Sequence, residues 1–421
     1  MTSFFTELSG FWAEWSRPSA GIPIVLWCLL LAAAAIAGHV VQRYAGLPKV
    51  IGYSIVGTVV GFAGFEGAVW PLQGVGLFLL ELGVAIVLFE AGGRLPLGWF
   101  RHNPMVLLQS LVEATLTYFG VYWLLHWMGV PDPVAGAVAL VMIVASPAVL
   151  MRVVIDTRAS GPVTERALTL AALNTFYGLA LGSARAGLLE RAPNTVVEQL
   201  SPVMVVLGLS FVVGALMALA LRSALRVMSS SSENTSILLL SIIAAGAALT
   251  AHLGGSAPLA ALIGGVLLRQ LTPKPWAWPQ RLGTAASLIT MMMFVLVSIV
   301  AAQADWSLPV AGVVLGLIAV RALAKIGGVA LANPGSGASW KQAFWLGCAM
   351  APLSSIALLI SSSFVSASPL LGTMITQIAL PAILLMEVLG AVLATVAIYG
   401  ARENSRPWTP EAFGGSEETQ R

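Results

Sequence analysis

The sequence predicts an all-α polytopic membrane protein with about 13 transmembrane helices, inverted repeats and two crossing discontinuous helices. Of its 421 residues, 58% are hydrophobic and only 9% are charged, whereas soluble domains carry about 25% charged residues. Apolar runs such as 22–40, 204–221 and 237–253 approach or exceed the roughly 18 residues of a spanning helix. Two other runs contain a proline near their middle, which predicts broken helices.

Hydropathy divides the membrane region, residues 22–402, into successive spans. The predicted spans cover residues 22–42, 49–65, 71–90, 104–129, 133–152, 166–190, 200–222, 236–253, 257–270, 282–303, 308–332, 341–365 and 370–400. Residues 1–21 form a predicted interfacial segment, because aromatic residues recur between Phe4 and Trp15 as membrane anchors. Residues 403–421 are polar and form a predicted cytoplasmic tail.

The distribution of Lys and Arg predicts the orientation of the chain. Sixteen of the 21 such residues lie in the tail, in the loops that follow odd-numbered spans, or at the span ends beside those loops. Three lie on the opposite side, and Arg321 and Lys325 lie inside the eleventh span. Because Lys and Arg concentrate in cytoplasmic loops, we expect a multi-pass protein of the cell inner membrane. Its N-terminus would be periplasmic and its C-terminus cytoplasmic.

Several classes of function are not expected from this composition. The formal net charge of +3 arises from basic residues in short loops, so no nucleic-acid partner is predicted. Cys28 and Cys348 lie far apart in apolar runs, which predicts neither a disulfide nor a metal site. No nucleophile–base pair or metal-ligand cluster occurs at useful spacing, so we expect no enzyme activity and no cofactor.

Two predicted spans contain helix-breaking residues. The fifth has Ser146-Pro147 at its middle, and the twelfth has Pro352 followed by Ser354 and Ser355. A proline frees a backbone carbonyl, which nearby hydroxyls can re-satisfy. The breaks lie seven spans apart, so spans four to six and eleven to thirteen would insert in opposite orientations, as in transporters built from inverted repeats. Two ordinary proline kinks are the alternative interpretation.

Ionisable residues inside spans are functional candidates, because charge at membrane depth is costly. Glu113 lies in the fourth span, Lys325 in the eleventh and Glu387 in the thirteenth. Lys325 could instead form a structural ion pair with either glutamate. Glu387 could also satisfy backbone groups freed by the breaks. Arg321, one turn before Lys325, could extend to the membrane interface or bind a carboxylate.

Five segments, in order, resemble motifs of the monovalent cation:proton antiporter superfamily, which includes Kef-type and sodium/proton exchanger-like membrane domains. They are LPKVIGYSIVG at 47–57, LGVAIVLFEAG at 82–92, ASPAV at 145–149, the lysine span and second broken span at 325–358, and EVLG at 387–390. The resemblance implies a homodimer in the lipid bilayer. Each subunit would have a core bundle, about 104–190 and 308–400, and dimerisation elements from the remainder. The core would rise and fall, carrying a monovalent cation one way and protons the other.

The sequence departs from the family pattern in the sixth span. Family members have a carboxylate pair or a related Asn-Asp pair there, whereas this chain has Asn174-Thr175 and no Asp in the span. Threonine cannot exchange a proton at neutral pH, so we expect Glu113 or Glu387 to be the proton carrier. The residues expected to line the ion site are Ser146, Asn174, Thr175, Ser354, Ser355 and Lys325.

The predicted function is exchange of Na⁺ or K⁺ for protons by an elevator-type alternating-access mechanism, at an atypical site that lacks the usual aspartate. Carbonyls of the broken helices would coordinate the ion, and Lys325 would balance its charge or compete with it. Two alternatives remain open. One is an uncoupled transporter or conduit of the same fold, with Lys325 attracting an anion or with a neutral solute as cargo. The other is a non-transporting sensor subunit.

Overall fold

The computed structural model describes residues 21–65, 67–68, 70–95, 97–189, 196–228, 233–272 and 280–405. Within these ranges the chain is helical apart from short connections, which confirms the predicted all-α class. The predicted interfacial segment lies outside the described residues except for Gly21, and so does the predicted tail beyond Ser405.

The helices follow the predicted spans closely. The first eight are α1 (Gly21–Val40, continued by a π-helical turn at Val41–Ala45), α2 (Lys49–Phe62), α3 (Gly74–Arg94), α4 (Leu97–His102), α5 (Pro104–Trp127), α6 (Asp132–Ile143), α7 (Pro147–Thr157) and α8 (Pro162–Ala186). The others are α9 (Val196–Val227), α10 (Glu233–His252), α11 (Ala257–Leu271), α12 (Gln280–Ala302), α13 (Leu308–Leu331), α14 (Trp340–Ala349), α15 (Ser355–Ala367) and α16 (Pro369–Ala401).

The helix lengths and compositions are those of a multi-pass membrane protein. In the described part of the chain, nine segments are long and apolar enough to cross a bilayer, and four shorter apolar helices accompany them. Large apolar side chains such as Leu308, Leu331 and Trp127 are mostly exposed at the surface of the isolated chain. A hydrocarbon environment explains this surface, because it favours apolar side chains outside as well as inside.

The helices pack as two groups. α5–α8 and α13–α16 pack mainly on one another, with α5 against α13 and α16 against α14 and α15. α1–α3 and α9–α12 form the other group, with α3 and α9 against α11 and α2 against α12. Contacts of α16 with α2 and α12, and of α8 with α9, connect the two groups.

The two proline-containing spans are broken and they cross. α6 ends at Ile143 and α7 begins at Pro147, while α14 ends at Ala349 and α15 begins at Ser355. The Ser146 backbone N–H donates to the Pro352 carbonyl at 2.9 Å, so the two breaks touch. Each break lies in the second span of a three-span unit, in agreement with the predicted inverted repeats.

The N-terminus of α8 is capped by a residue from the far end of the chain. The carboxylate of Glu403 accepts hydrogen bonds from the Val163 and Thr164 backbone N–H groups, at 2.8 and 2.7 Å, and from the Thr164 hydroxyl at 2.7 Å. The Ser160 N–H donates to the Glu403 carbonyl at 2.9 Å. The first residue of the predicted tail is therefore part of the packed structure.

This cap gives a testable expectation for stability. Changing Glu403 to Ala should destabilise the protein by roughly 1–2 kcal/mol, because first-turn N–H groups lose a charged acceptor. The apparent melting temperature in detergent should fall by a few degrees. Glu165→Ala is the control, since its exposed side chain carries the same charge in the same turn. Equal losses in the two variants would contradict the capping role.

Candidate functional site

Arg321 joins the two helix breaks. It lies in α13, is only 1% exposed, and directs its guanidinium at the point where the broken helices cross. At the first break it donates to the carbonyls of Met142 at 3.0 Å and Val144 at 2.7 Å. At the second it donates to Ala351 at 2.5 Å and Pro352 at 3.4 Å.

This contact pattern has a clear electrostatic cause. α6 and α14 each end at the crossing, and the last carbonyls of a helix carry a partial negative charge. A guanidinium has five N–H donors and stays protonated, so one arginine can satisfy carbonyls from both ends. The sequence interpretation of Arg321 as an interfacial or carboxylate-binding residue was wrong. Moreover, backbone carbonyls that were expected to coordinate an ion accept hydrogen bonds from Arg321 instead.

Glu113 is the centre of a second buried cluster. It is fully buried in α5, and its Oε1 lies 2.5 Å from the Lys325 Nζ of α13. The Thr117 hydroxyl donates to the same oxygen at 3.1 Å. The Asn174 side-chain N–H donates to Oε2 in a short hydrogen bond, and Asn174 Oδ1 accepts from the Ser110 hydroxyl at 3.2 Å. Of the two ion pairs left open for Lys325, the structure forms the one with Glu113.

Close packing of α5 and α13 makes this ion pair possible. Gly328 lies one turn after Lys325, and its Cα faces the backbone of Glu113, where any Cβ would collide. The small residue lets the two helices approach. The Lys325 ammonium also donates to the Ile143 carbonyl at 3.0 Å, the last residue of α6. The cluster therefore lies directly beside the first break.

The remaining predicted site residues divide between two places. Thr175 donates its hydroxyl to the Ala145 carbonyl at 3.2 Å, and the Ser146 hydroxyl accepts from the Val149 N–H at 3.3 Å as the cap of α7. Both therefore lie at the first break, near Glu113. Ser354 and Ser355 lie at the second break, where Ser355 begins α15 and is buried. Ser354 belongs to a cluster around Glu387 that does not include Lys325.

The Glu387 cluster involves residues that sequence reasoning missed. Glu387 of α16 is fully buried, and its Oε2 accepts from the Ser298 hydroxyl of α12 at 3.1 Å. The hydroxyls of Ser54, in α2, and Ser354 also lie beside this carboxyl, without reaching hydrogen-bond geometry. Single serines inside apolar spans gave no signal in the sequence. Their significance depends on which helices meet.

Two cavities lie where the helix groups adjoin. One, of about 420 Å³, is lined by Glu81 of α3 and by serines from three other segments. These are Ser183 of α8, Ser256 just before α11, and Ser362, Ser363 and Ser366 of α15. The other, of about 430 Å³, is apolar and borders α5, α6, α8 and α9. Its lining includes Ala114, next to Glu113, and Ile143, whose carbonyl binds Lys325.

These features define a class of protein. A buried carboxylate–ammonium pair at the crossing of two broken helices, within a pair of inverted three-span units, is the arrangement of a secondary transporter. The chain belongs to the sodium/hydrogen exchanger family: the family model described as "Sodium/hydrogen exchanger, transmembrane" matches residues 29–399. This confirms the resemblance inferred from the sequence motifs.

Solved structures of an antiporter have the same fold. The structure of the sodium proton antiporter MjNhaP1 from Methanocaldococcus jannaschii at pH 8 matches with a TM-score of 0.65 at 16% identity. The match covers 90% of this chain and 98% of that one. An electron-microscopy map of the same antiporter gives a TM-score of 0.67 at 16% identity, covering 91% and 96%. No curated protein sequence matches this chain significantly.

Proposed function

We propose that this protein exchanges Na⁺ or K⁺ for protons. Glu113 is the carboxylate that pairs in turn with the Lys325 ammonium and with the cation. The observation that carries the proposal is the hydrogen bond from Asn174 to the Glu113 carboxylate. The sixth span has Thr175 instead of an acid beside Asn174, but α5 supplies a carboxylate to the same place. The carboxylate expected next to Asn174 is therefore provided by another helix.

The ion pair supplies a charge-balanced mechanism of exchange. With no cation bound, the Lys325 ammonium neutralises Glu113. An entering monovalent cation takes the place of the ammonium beside the carboxylate. Lys325 then loses one proton, so the buried site keeps its net charge and avoids the cost of an uncompensated ion. One cation entering thus releases one proton. The hydroxyl of Thr117 and the carbonyl of Asn174 are suitable oxygen ligands for the cation.

The anion-conduit alternative is disfavoured by the same pair. An ammonium attracts an anion only if its charge is not already neutralised. Lys325 contacts the Glu113 carboxylate at 2.5 Å, and the described residues around it supply carbonyl oxygen as well. An anion at this position would meet a carboxylate and a carbonyl, both repulsive.

Transport would involve motion of one helix group past the other. In this proposal α5–α8 and α13–α16 form the core, whose two breaks carry the site. α1–α3 and α9–α12 form the stationary group and supply the homodimer contact. The serine-lined cavity at Glu81 lies between the groups and offers a polar path for a cation. We further propose insertion in the inner membrane with a periplasmic N-terminus and a cytoplasmic C-terminus, as the loop charges predict.

Purified protein in liposomes that contain a pH-sensitive dye tests the proposal. Addition of Na⁺ or K⁺ outside should make the interior more alkaline, while choline at the same ionic strength should not. Lithium should be tested in parallel. A protein that is demonstrably folded, yet gives no pH response to any of the three cations, would overturn the proposed exchange.

A further inference from the structure

We infer that Glu387, Ser54, Ser298 and Ser354 form a second binding site for a monovalent alkali cation, separate from Glu113. The cluster has four oxygen-bearing side chains and lies among α2, α12, α16 and the second break. All four residues are at most 1% exposed. This inference rests on the observed cluster and does not require cation exchange at Glu113.

Three polar atoms of the cluster make no hydrogen bond within the described part of the chain. Glu387 Oε1 and the hydroxyl oxygens of Ser54 and Ser354 are buried, and among the described residues none of the three reaches hydrogen-bond geometry, although both serines lie beside the carboxyl. A buried polar group without a partner costs about 1–3 kcal/mol, and a carboxylate costs more. Several such atoms that converge on one place therefore indicate a missing ligand.

The donor set selects the class of ligand. Carboxylate and hydroxyl oxygens suit hard cations, and no sulfur or imidazole is present among the four residues. With Glu387 ionised the cluster has one negative charge, which balances one positive charge. A divalent cation would bring an excess charge into a buried site, where uncompensated charge is costly. Na⁺, K⁺ or Li⁺ is therefore the appropriate class of occupant.

The packing of α2 on α12 builds the outer half of this site. A Cβ added to Gly57 would lie 2.6 Å from the Val295 carbonyl and 2.8 Å from the Ser298 Cβ, so only glycine allows this approach. Gly57 is one turn after Ser54 on α2. The contact of Gly57 with α12 therefore places Ser54 on the face of α2 that packs towards Ser298. Ser354 precedes α15, whose N-terminus favours an ionised carboxylate nearby.

The location gives the site a role distinct from exchange at Glu113. Ser54 and Ser298 belong to the group formed by α1–α3 and α9–α12, whereas Ser354 and Glu387 belong to the other group. A cation held by all four would connect the two groups. Its binding would stabilise the arrangement seen here relative to any state in which the groups have moved apart.

Thermal unfolding in detergent tests this site without using transport. The background is the double variant Glu113→Gln with Lys325→Met, which removes the first site without leaving either charge unpaired. Replacement of choline by Na⁺, K⁺ or Li⁺ at constant ionic strength should raise its melting temperature by about 2–4 °C for at least one cation.

Two variants in this background identify the ligands. Glu387→Gln should abolish the cation-dependent shift. Ser298→Ala should reduce the shift, measured from a melting temperature in choline that is itself lowered by loss of the hydrogen bond to Glu387. If the background protein shows no shift, or if both variants keep the full shift, the second site does not exist. A failure of proton exchange in liposomes would leave this result unaffected, so the two proposals can fail separately.

Discussion

Replacing Glu113 by Gln should lower cation-driven proton movement at least about a hundredfold. Glutamine keeps the shape of the side chain and can still contact Asn174, but it cannot alternate between an ammonium and a metal cation. The buried carboxylate is the group that a proton-coupled site requires. The measurement is the initial rate of dye response in liposomes under a Na⁺ or K⁺ gradient.

The same substitution should also reduce stability. It leaves the Lys325 ammonium buried without its counter-ion, and breaking a buried pair costs about 3–5 kcal/mol. The double variant Glu113→Gln with Lys325→Met removes both charges, so it should recover most of the melting temperature and none of the exchange. A double variant that is stable but inactive would show that exchange requires the pair even when folding does not.

A matched control exists at the surface. Glu90 and Arg94 form an i,i+4 pair at 2.7 Å, with 48% of the arginine side chain exposed. Exposed pairs contribute roughly 0–1 kcal/mol, so Glu90→Gln should change neither stability nor exchange measurably. If Glu113→Gln behaved like this control and exchanged cations at the normal rate, Glu113 would not be the carboxylate that binds the cation.

Replacing Arg321 by Met should cause the largest loss of stability among single substitutions at the crossing. The substitution removes donors to four buried carbonyls and the charge that balances two helix C-termini. The Pro352 carbonyl keeps the Ser146 N–H as a donor, so three carbonyls lose their arginine donor without this replacement. Each unsatisfied buried group costs about 1–3 kcal/mol, so we expect a total loss of at least about 3 kcal/mol. The readout is the apparent melting temperature together with the monodisperse yield in detergent.

Arg321→Lys is the informative partner variant. Lysine keeps the charge but has a compact ammonium with three donors, so it cannot contact both breaks as a planar guanidinium does. It should recover part of the lost stability at most. Arg94→Met is the exposed control and should behave like the unmodified protein. A melting temperature for Arg321→Met within about a degree of that control would show that the crossing does not depend on this residue.

Several features were predictable because they depend on local sequence. A run of apolar residues becomes a membrane helix wherever it occurs, and the helices described here follow the predicted spans. An interior proline kinks or breaks a helix, and the breaks occur at Pro147 and around Pro352 as expected. Pro202 and Pro381, by contrast, lie inside continuous helices. The family assignment followed from the order of motifs along the chain.

Side-chain partners were less predictable. Lys325 had two candidate acids in the sequence, and only the approach of α5 to α13 at Gly328 selects Glu113. The role of Arg321 was misjudged because its partners are carbonyls, which every residue possesses and no motif marks. Ser54 and Ser298 were missed because a lone serine in an apolar helix is ordinarily no more than a minor polar contact.

The sequence by itself therefore determined the class, the helices, the positions of the breaks and the set of buried ionisable residues. Each of these depends on the hydrophobicity or backbone chemistry of neighbouring residues. Only the tertiary structure decided that Glu113, Lys325 and Asn174 form one cluster and that Glu387 belongs to another. The physical reason is that burying a charge is favourable only with a partner, and partners are chosen by which distant helices can approach each other closely.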